Sequence, residues 1–348
     1  MAGALPANLE TMPSQPHLKQ IVEGRRTLTR EAAHALMQQI LRGELSEIQL
    51  AGLLGALAAR GETAAEVAGF VEAMRAAAVP FPLDDDERRQ LVDTCGTGGD
   101  ASGSFNISTA TALVAAAAGA TVAKHGNRAV TSQCGSADIL EALGVSVDLS
   151  PAAAAAALRK HRFAFLHAPA MQPAMKAVMP VRRALGVRTV FNVLGPLTNP
   201  AGAAAQVMGV YAPHLVPLAA EAMALLGTRH AFVVHGDGGL DELSISGPSQ
   251  VAEVRNGTVT LLTLAPEDAG LARAPVEALR GGNAETNAAI LEAIFSGERG
   301  PRRDIVLLNA AAVLVASELA PTLTEGVAKA AQAIDNGAVK ALLAALRS

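Results

Sequence analysis

The chain has no tryptophan and a single tyrosine, Tyr211, and only 3% of its 348 residues are aromatic. A protein that grips single-stranded nucleic acid stacks bases on aromatic rings, and this chain has almost none to offer. Its core must be built from Ala, Leu and Val, side chains that suit close helix packing. Excess positive charge is missing too: Lys and Arg number 28 against 32 Asp and Glu, a net charge of -4. A polyanion therefore finds no general attraction. Cysteine is limited to Cys95 and Cys134, too few for a disulfide framework and expected as reduced thiols of a cytoplasmic protein. The start of the chain lacks a basic region followed by an apolar run, so no signal peptide is expected. The longest uncharged stretch, residues 101–123, is broken by Ser102, Gly103, Ser104, Asn106, Ser108 and Thr109. That argues against a membrane span and for a buried helix followed by a strand. The eight histidines form neither H-E-x-x-H nor a His/Cys cluster, so zinc is not supported.

A chain of this length exceeds one ordinary core, which favours two domains. Residues 1–16, with Pro6, Pro13 and Pro16, have no periodicity and read as a flexible tail. Residues 17–80 read as a small all-α domain. Thr29 and Ser46 are placed to cap helices, and Thr63 with Glu66 forms a capping box. Leu50, Leu53, Leu54 and Leu57 share one helix face, and apolar faces of this kind often pair two copies of a chain. Residues 80–89 read as a hinge with an acidic, solvated run. Strands then alternate with helices, at 90–94, 121–123, 145–149, 163–166, 207–211, 231–234, 251–255 and 258–262. Ser150 followed by Pro151 opens a helix, 175–186 reads as another, 192–200 as a Gly/Pro-punctuated loop, and the end from about Arg302 as two helices. The fold class is therefore α/β: a small N-terminal all-α domain plus a large domain with a mainly parallel central sheet flanked by helices. The large domain is assigned to 90–174 and 206–348, and 175–205 contributes helices and a loop near the hinge.

Two stretches carry the chemistry. The first, D-T-C-G-T-G-G-D-A-S-G-S-F-N-I-S-T, runs from a strand through Gly96, Gly98 and Gly99 to Asn106-Ile107-Ser108-Thr109 at the start of an Ala-rich helix. Successive N–H groups in a Gly turn and at a helix start make an anion site. One such turn is equally well a structural element of an α/β protein. It is neither G-x-G-x-x-G nor G-x-x-x-x-G-K-[ST], so neither a dinucleotide fold nor a P-loop ATPase is favoured. The second stretch, Lys124-His125-Gly126-Asn127-Arg128 followed by Thr131, Ser132, Gly135 and Ser136, lies after the next strand, where open α/β sheets place ligands. Two adjacent junctions of this chemistry point to one phosphorylated ligand.

G-T-G-G-D, N-I-S-T, K-H-G-N-R-A-V-x-S-x-x-G-S-A-D, V-R-R-A-L-G-V-R-T-V-F-N-V-L-G-P-L-T-N-P and D-G-L-D-E-L-S together resemble the anthranilate phosphoribosyltransferase family of tryptophan biosynthesis, over nearly the whole chain. The resemblance implies transfer of the 5-phosphoribosyl group from 5-phosphoribosyl 1-pyrophosphate to the amine of anthranilate, by a homodimer joined through the N-terminal helices. It implies a donor site of Gly96, Gly99, Asp100, Ser104, Asn106, Ile107, Ser108 and Thr109 in the first loop. Lys124, His125, Gly126, Asn127, Arg128, Ala129, Val130, Thr131, Ser132 and Ser136 complete it in the second. Anthranilate would meet Gly96, Asn127 and Pro196, with Arg182 holding its carboxylate. Mg2+, two per subunit, would be held by Ser108, Asp241 and Glu242. No residue acts as nucleophile or acid/base in this scheme. Three positions depart from the family's pattern: Gln172 stands where His is common, and Thr131 and Gln133 where Ser and Lys are. A pyrimidine-nucleoside phosphorylase is a rival of similar architecture, and Arg182 with Asp241 and Glu242 argues against it.

Overall fold

The computed structural model describes residues 15–129 and 133–347. The chain begins with four helices, α1 (Gln15–Val22), α2 (Arg30–Leu41), α3 (Glu47–Arg60) and α4 (Ala64–Ala76). Helix α1 starts inside the stretch read as tail, and residues 1–14 lie outside the described residues. The local signals act as expected. Thr29 accepts the Ala32 N–H, Ser46 and Gln49 form a capping box, and so do Thr63 and Glu66. Glu66 is fully buried, yet its carboxylate is satisfied: it takes the Leu28 N–H at 2.8 Å and pairs with Arg60 at 2.6 Å. A buried charge persists only when paired and hydrogen-bonded in this way.

The rest of the chain winds around one sheet. After α5 (Asp85–Gln90) come β1 (Leu91–Asp93), α6 (Ile107–Ala117), β2 (Thr121–Gly126), α7 (Ser136–Ala142), α8 (Pro151–His161) and β3 (Phe163–His167). The chain then runs through α9 (Ala168–Met171), α10 (Met179–Leu185) and α11 (Phe191–Leu197) before β4 (Ala205–Gly209), α12 (Leu215–Leu225) and β5 (His230–His235). A hairpin, β6 (Ser249–Arg255) and β7 (Thr258–Leu264), is followed by α13 (Ala284–Phe295), α14 (Pro301–Ala316), α15 (Leu323–Asp335) and α16 (Ala338–Leu346). The seven strands lie in the order β3-β2-β1-β4-β5-β6-β7. The first five are parallel, and β6 and β7 are antiparallel. The expected α/β class is observed.

Strand alternation sends Val207, Phe232 and Val234 to a core shared with α6, α13, α14 and α15. Met208, Ala231 and Val233 go to the opposite face, a second core shared with α12, α10, α11 and the N-terminal helices. The small helices are thus continuous with one face of the sheet. Because the chain leaves β1 toward β2 but leaves β4 toward β5, the ends of β1 and β4 form a topological switch point, where α/β sheets bind ligands.

Four expectations need correction. Residues 145–149 are not a strand: Val145 and Val147 are buried and Ser146 and Asp148 exposed, but the segment joins no ladder. Alternating burial in an extended connector imitates a strand. Residues 192–200 are not all loop, because they enter α11, which carries Pro196 inside it, where proline removes one N–H from the helix ladder. The stretch 175–186 is split between a 3-10 turn, Pro173–Ala177, and α10. The chain end from Pro301 holds three helices rather than two.

Candidate active site

The loop after β1 folds over the end of β4. Thr97 donates its N–H to the Gly209 carbonyl at 2.8 Å, and its Oγ1 accepts the Tyr211 N–H at 3.0 Å. Gly98 and Gly99 adopt φ of +64° and +75°, a conformation glycine takes without penalty. Gly209 is required for another reason: a Cβ there would stand 1.4 Å from the Asp241 carbonyl oxygen. Its absence lets the segment after β5 press against β4. Asp241 is thereby brought onto the first loop, where its Oδ2 accepts the Gly98 N–H at 2.8 Å.

Three carboxylates share this corner. Asp241 accepts from the first loop, and its own N–H faces Asp100 Oδ2 at 3.4 Å. Burial, then the Asp100 charge, pushes the Asp241 carboxyl up to about 7. Burial and the Asp241 charge raise Glu242 well above the usual carboxylate range, against the opposing pull of Lys124. Lys124 is itself buried, its Nζ donating to Thr94 Oγ1 and Ser108 Oγ at 3.1 Å each. The two loops are thus joined beneath the site by Lys124 and Ser108, and the lysine charge sits under the site rather than in the open. Among the described residues no three His, Cys, Asp or Glu side chains form a complete metal cage. Two crowded, half-buried carboxylates with a hydroxyl beside them nonetheless fit a hard cation, which relieves their repulsion and takes its other ligands from water and substrate phosphate. Asn106 makes no side-chain capping bond at the start of α6, so its cap does not close off the first-turn N–H groups.

The second loop is built by Asp138, whose Oδ2 accepts the N–H groups of Gly135 at 2.8 Å and Ala129 at 2.9 Å. Ser136 opens α7, and Asn127 accepts the Ala137 N–H on its carbonyl at 3.2 Å. Arg128 turns away toward Glu141 at 2.5 Å and Asp138 at 3.4 Å. His125 is buried, its ring pulled down to about 4 by desolvation, hence neutral at physiological pH. Val130, Thr131 and Ser132 lie outside the described residues. The Asn106 side chain bridges the loops: it donates to the Cys134 carbonyl at 3.1 Å and accepts from Asn287 at 2.9 Å. Ser104 is held by a bridge to Arg280, and Ile107 and Thr109 are buried in α6.

Arg182, in the last turn of α10, is half-buried with its Cζ 5.4 Å from the centre of the Phe191 ring. Its Nη1 faces the Met179 sulfur at 3.9 Å, and no acidic side chain among the described residues pairs with it. Pro196 is buried, with its carbonyl accepting from Gln206 Nε2 at 2.9 Å. The same Gln206 nitrogen donates to the Cys95 carbonyl at 3.1 Å, so α11 and the first loop share one fastening. Gln172 is buried, donating to the Met74 carbonyl at 3.2 Å.

Sequence reasoning missed the support beneath these groups. Asp93, at the end of β1, is fully buried and accepts the N–H groups of Cys95 and His125 on Oδ1, at 3.1 and 3.2 Å. Asn199 donates to its Oδ2 at 2.8 Å and also to the Ala123 carbonyl. Asp93 therefore ties the first residues of both loops to the 192–200 segment. The available signal was Asp93 itself, a polar residue directly after the apolar strand residues Leu91 and Val92.

Two family models match the chain: the Glycosyl transferase family a/b domain over residues 88–340, and the helical bundle domain of the Glycosyl transferase family over 15–78. The anthranilate phosphoribosyltransferase of Symbiobacterium thermophilum is 51% identical over 330 residues, covering 95% of this chain and 96% of the relative. That of Roseiflexus castenholzii is 52% identical over 334 residues, covering 95% and 97%. The chain belongs to the anthranilate phosphoribosyltransferase family. The crystal structure of the Thermus thermophilus anthranilate phosphoribosyltransferase superposes with a TM-score of 0.89 at 47% identity, covering 95% of this chain and 98% of that one. The Saccharomyces cerevisiae enzyme, in complex with PRPP and Mg, gives 0.84 at 29%, covering 94% and 95%. In this member of the anthranilate phosphoribosyltransferase family, two surface cavities of about 250 and 180 Å3 lie near the strand starts, away from the loops. Arg75, Arg88 and Gly202 line the larger, Leu91 and Thr121 the smaller.

Proposed function

We propose that this enzyme transfers the 5-phosphoribosyl group from 5-phosphoribosyl 1-pyrophosphate to the amine of anthranilate, giving N-(5-phosphoribosyl)anthranilate and pyrophosphate. The observation that carries the reading is the convergence, at the β1/β4 switch point, of the Gly96–Thr109 loop and of Lys124, at the head of the second loop, on the half-buried carboxylates of Asp241 and Glu242. Loop N–H groups and the start of α6 receive the diphosphate. Asp241, Glu242 and Ser108 would hold Mg2+, two per subunit with donor bound, which when bound supplies charge neutralisation for the departing pyrophosphate.

Arg182 offers a carboxylate a planar fork, on a guanidinium that pairs with no acidic side chain among the described residues. Gly195 and Pro196 shape the slot for the aromatic ring, with Gly96 and Asn127 near the acceptor. An arylamine is neutral at pH 7, so no strong base is needed. His125, buried and neutral, serves the loop rather than proton transfer. The sugar centre passes through an oxocarbenium-like state without a covalent intermediate. Alignment of two substrates supplies up to about 7–11 kcal/mol.

We assign residues 17–80 as the small domain and 90–174 with 206–348 as the large one. Pairing of two copies through the N-terminal helices is supported by Ile48, which is 86% exposed on α3. No helix among the described residues is long and apolar enough to cross a membrane, in keeping with a cytoplasmic place. The test is loss of anthranilate fluorescence: consumption that requires both the sugar donor and Mg2+ supports the reading, and no consumption with both present overturns it.

A further inference from the structure

Arg188 has no part in the roles assigned so far, yet it touches the first loop directly. It lies in the connector between α10 and α11, just past Gly186, the C-cap of α10. Its Nη2 donates to the Gly99 carbonyl, 89 residues away in the chain, and its Cζ stands 4.1 Å from the centre of the Tyr211 ring. Tyr211 is the chain's only tyrosine, and its backbone N–H also holds Thr97 Oγ1 at 3.0 Å. The loop is thus tethered on both sides, by Asp241 at Gly98 and by Arg188 at Gly99. It needs tethers: Ala101, with a Cβ, sits at φ +58°, a conformation such residues rarely take unaided.

We propose that Arg188 is a positioning residue that couples the two substrate sites. Clamped between Tyr211 and Gly99, it keeps the first loop in the shape that receives the diphosphate. Because this connector continues directly from the last turn of α10, which carries Arg182, order in the first loop is passed to the guanidinium that meets the acceptor carboxylate. The inference rests on the function proposed above and adds a dependence of one substrate on the other that flows through a single side chain.

The experiment is calorimetric titration of full-length protein with 5-phosphoribosyl 1-pyrophosphate and Mg2+, and separately with 4-fluoroanthranilate in the presence and absence of donor. Arg188→Ala should weaken donor binding about tenfold, the loss of one charge-assisted hydrogen bond. It should also collapse the effect of donor on acceptor affinity toward none, as reciprocal linkage requires. Arg188→Lys should recover little, because an ammonium lacks the planar face that stacks on a ring. Tyr211→Phe keeps the ring and should behave as wild type. Tyr211→Leu should match Arg188→Ala, and the double variant should be no worse than either. Because Arg188 is exposed, the melting temperature should hold, and Tyr211→Leu provides a second route should it not. Unchanged donor affinity and coupling in Arg188→Ala, full rescue by lysine, or additive effects in the double variant would overturn the clamp. Wild-type protein that fails to bind the donor at all would instead overturn the proposed function.

Discussion

Replacing Arg182 with alanine isolates the acceptor half of the account. The guanidinium is half-buried, stacked 5.4 Å from the Phe191 ring centre, and burial lowers its pKa from the ordinary value, since no acid among the described residues offsets the desolvation. It is a cation already stripped of part of its water and not yet paired. A carboxylate arriving there gains charge-assisted hydrogen bonds, worth about 1.5–3 kcal/mol each in net terms. The site is partly open, and solvent screening reduces the pair. A net loss of about 2–3 kcal/mol is then expected, or roughly 30- to 150-fold in the anthranilate KM. Loss of the cation–ring contact costs a further ~0.5–1 kcal/mol of stability, a small effect on the fold. The assay follows anthranilate fluorescence with each substrate varied at saturating levels of the other. A sharper comparison uses 2-aminobenzamide, which keeps the amine and lacks the charge: the wild type should prefer anthranilate strongly and Arg182→Ala should not. Equal increases in both KM values, or an unchanged preference for the charged substrate, would remove Arg182 from the acceptor site.

Other perturbations test other parts. Asp241→Asn combined with Glu242→Gln should abolish Mg2+-dependent turnover while leaving the fold intact, because the crowding of two half-buried carboxyls is relieved; an unchanged metal titration curve would refute the assignment. Gly209→Ala should destabilise the protein by at least ~3 kcal/mol in urea unfolding, since its Cβ would lie 1.4 Å from backbone oxygen that cannot swing aside; a near-neutral change would contradict the packing described. Asp93 carries a carboxyl pushed up to about 6 by burial, against an ordinary 3.8. The folded state therefore binds its proton more tightly than the unfolded chain, and its contribution to stability increases as pH falls from about 7 toward 4. The difference in unfolding free energy between wild type and Asp93→Asn should shift in favour of the wild type over that window, by up to about 3 kcal/mol; a shift in the opposite sense would refute it.

What the chain announces in advance is mostly local. Thr63 with Glu66, Ser46 before α3, and Ser150 with Pro151 each state a helix start within a few residues, and each is found. Gly98 and Gly99 state a turn in the same way. What stays hidden is held by distant partners. Asn199 reaches Asp93 across 106 residues and Gln206 reaches Cys95 across 111, and neither residue differs locally from any polar side chain near a strand. Arg128 reads as a phosphate ligand from its loop alone, and its ion pairs with Glu141 and Asp138, on α7, are not legible there. The extended 145–149 segment misleads because apolar and polar residues alternate along it as along an edge strand, although no neighbour supplies the ladder. Asn256-Gly257 joins β6 to β7 with both residues at positive φ, a hairpin signal the two flanking strands made available.

The most direct measurement is a crystal structure of the protein soaked with 5-phosphoribosyl 1-pyrophosphate and Mg2+. The account predicts diphosphate density between the Gly96–Thr109 and Lys124–Ser136 segments, with metal density beside Ser108, Asp241 and Glu242. Diphosphate lodged elsewhere, for example in the cavity lined by Arg75 and Arg88, would contradict it.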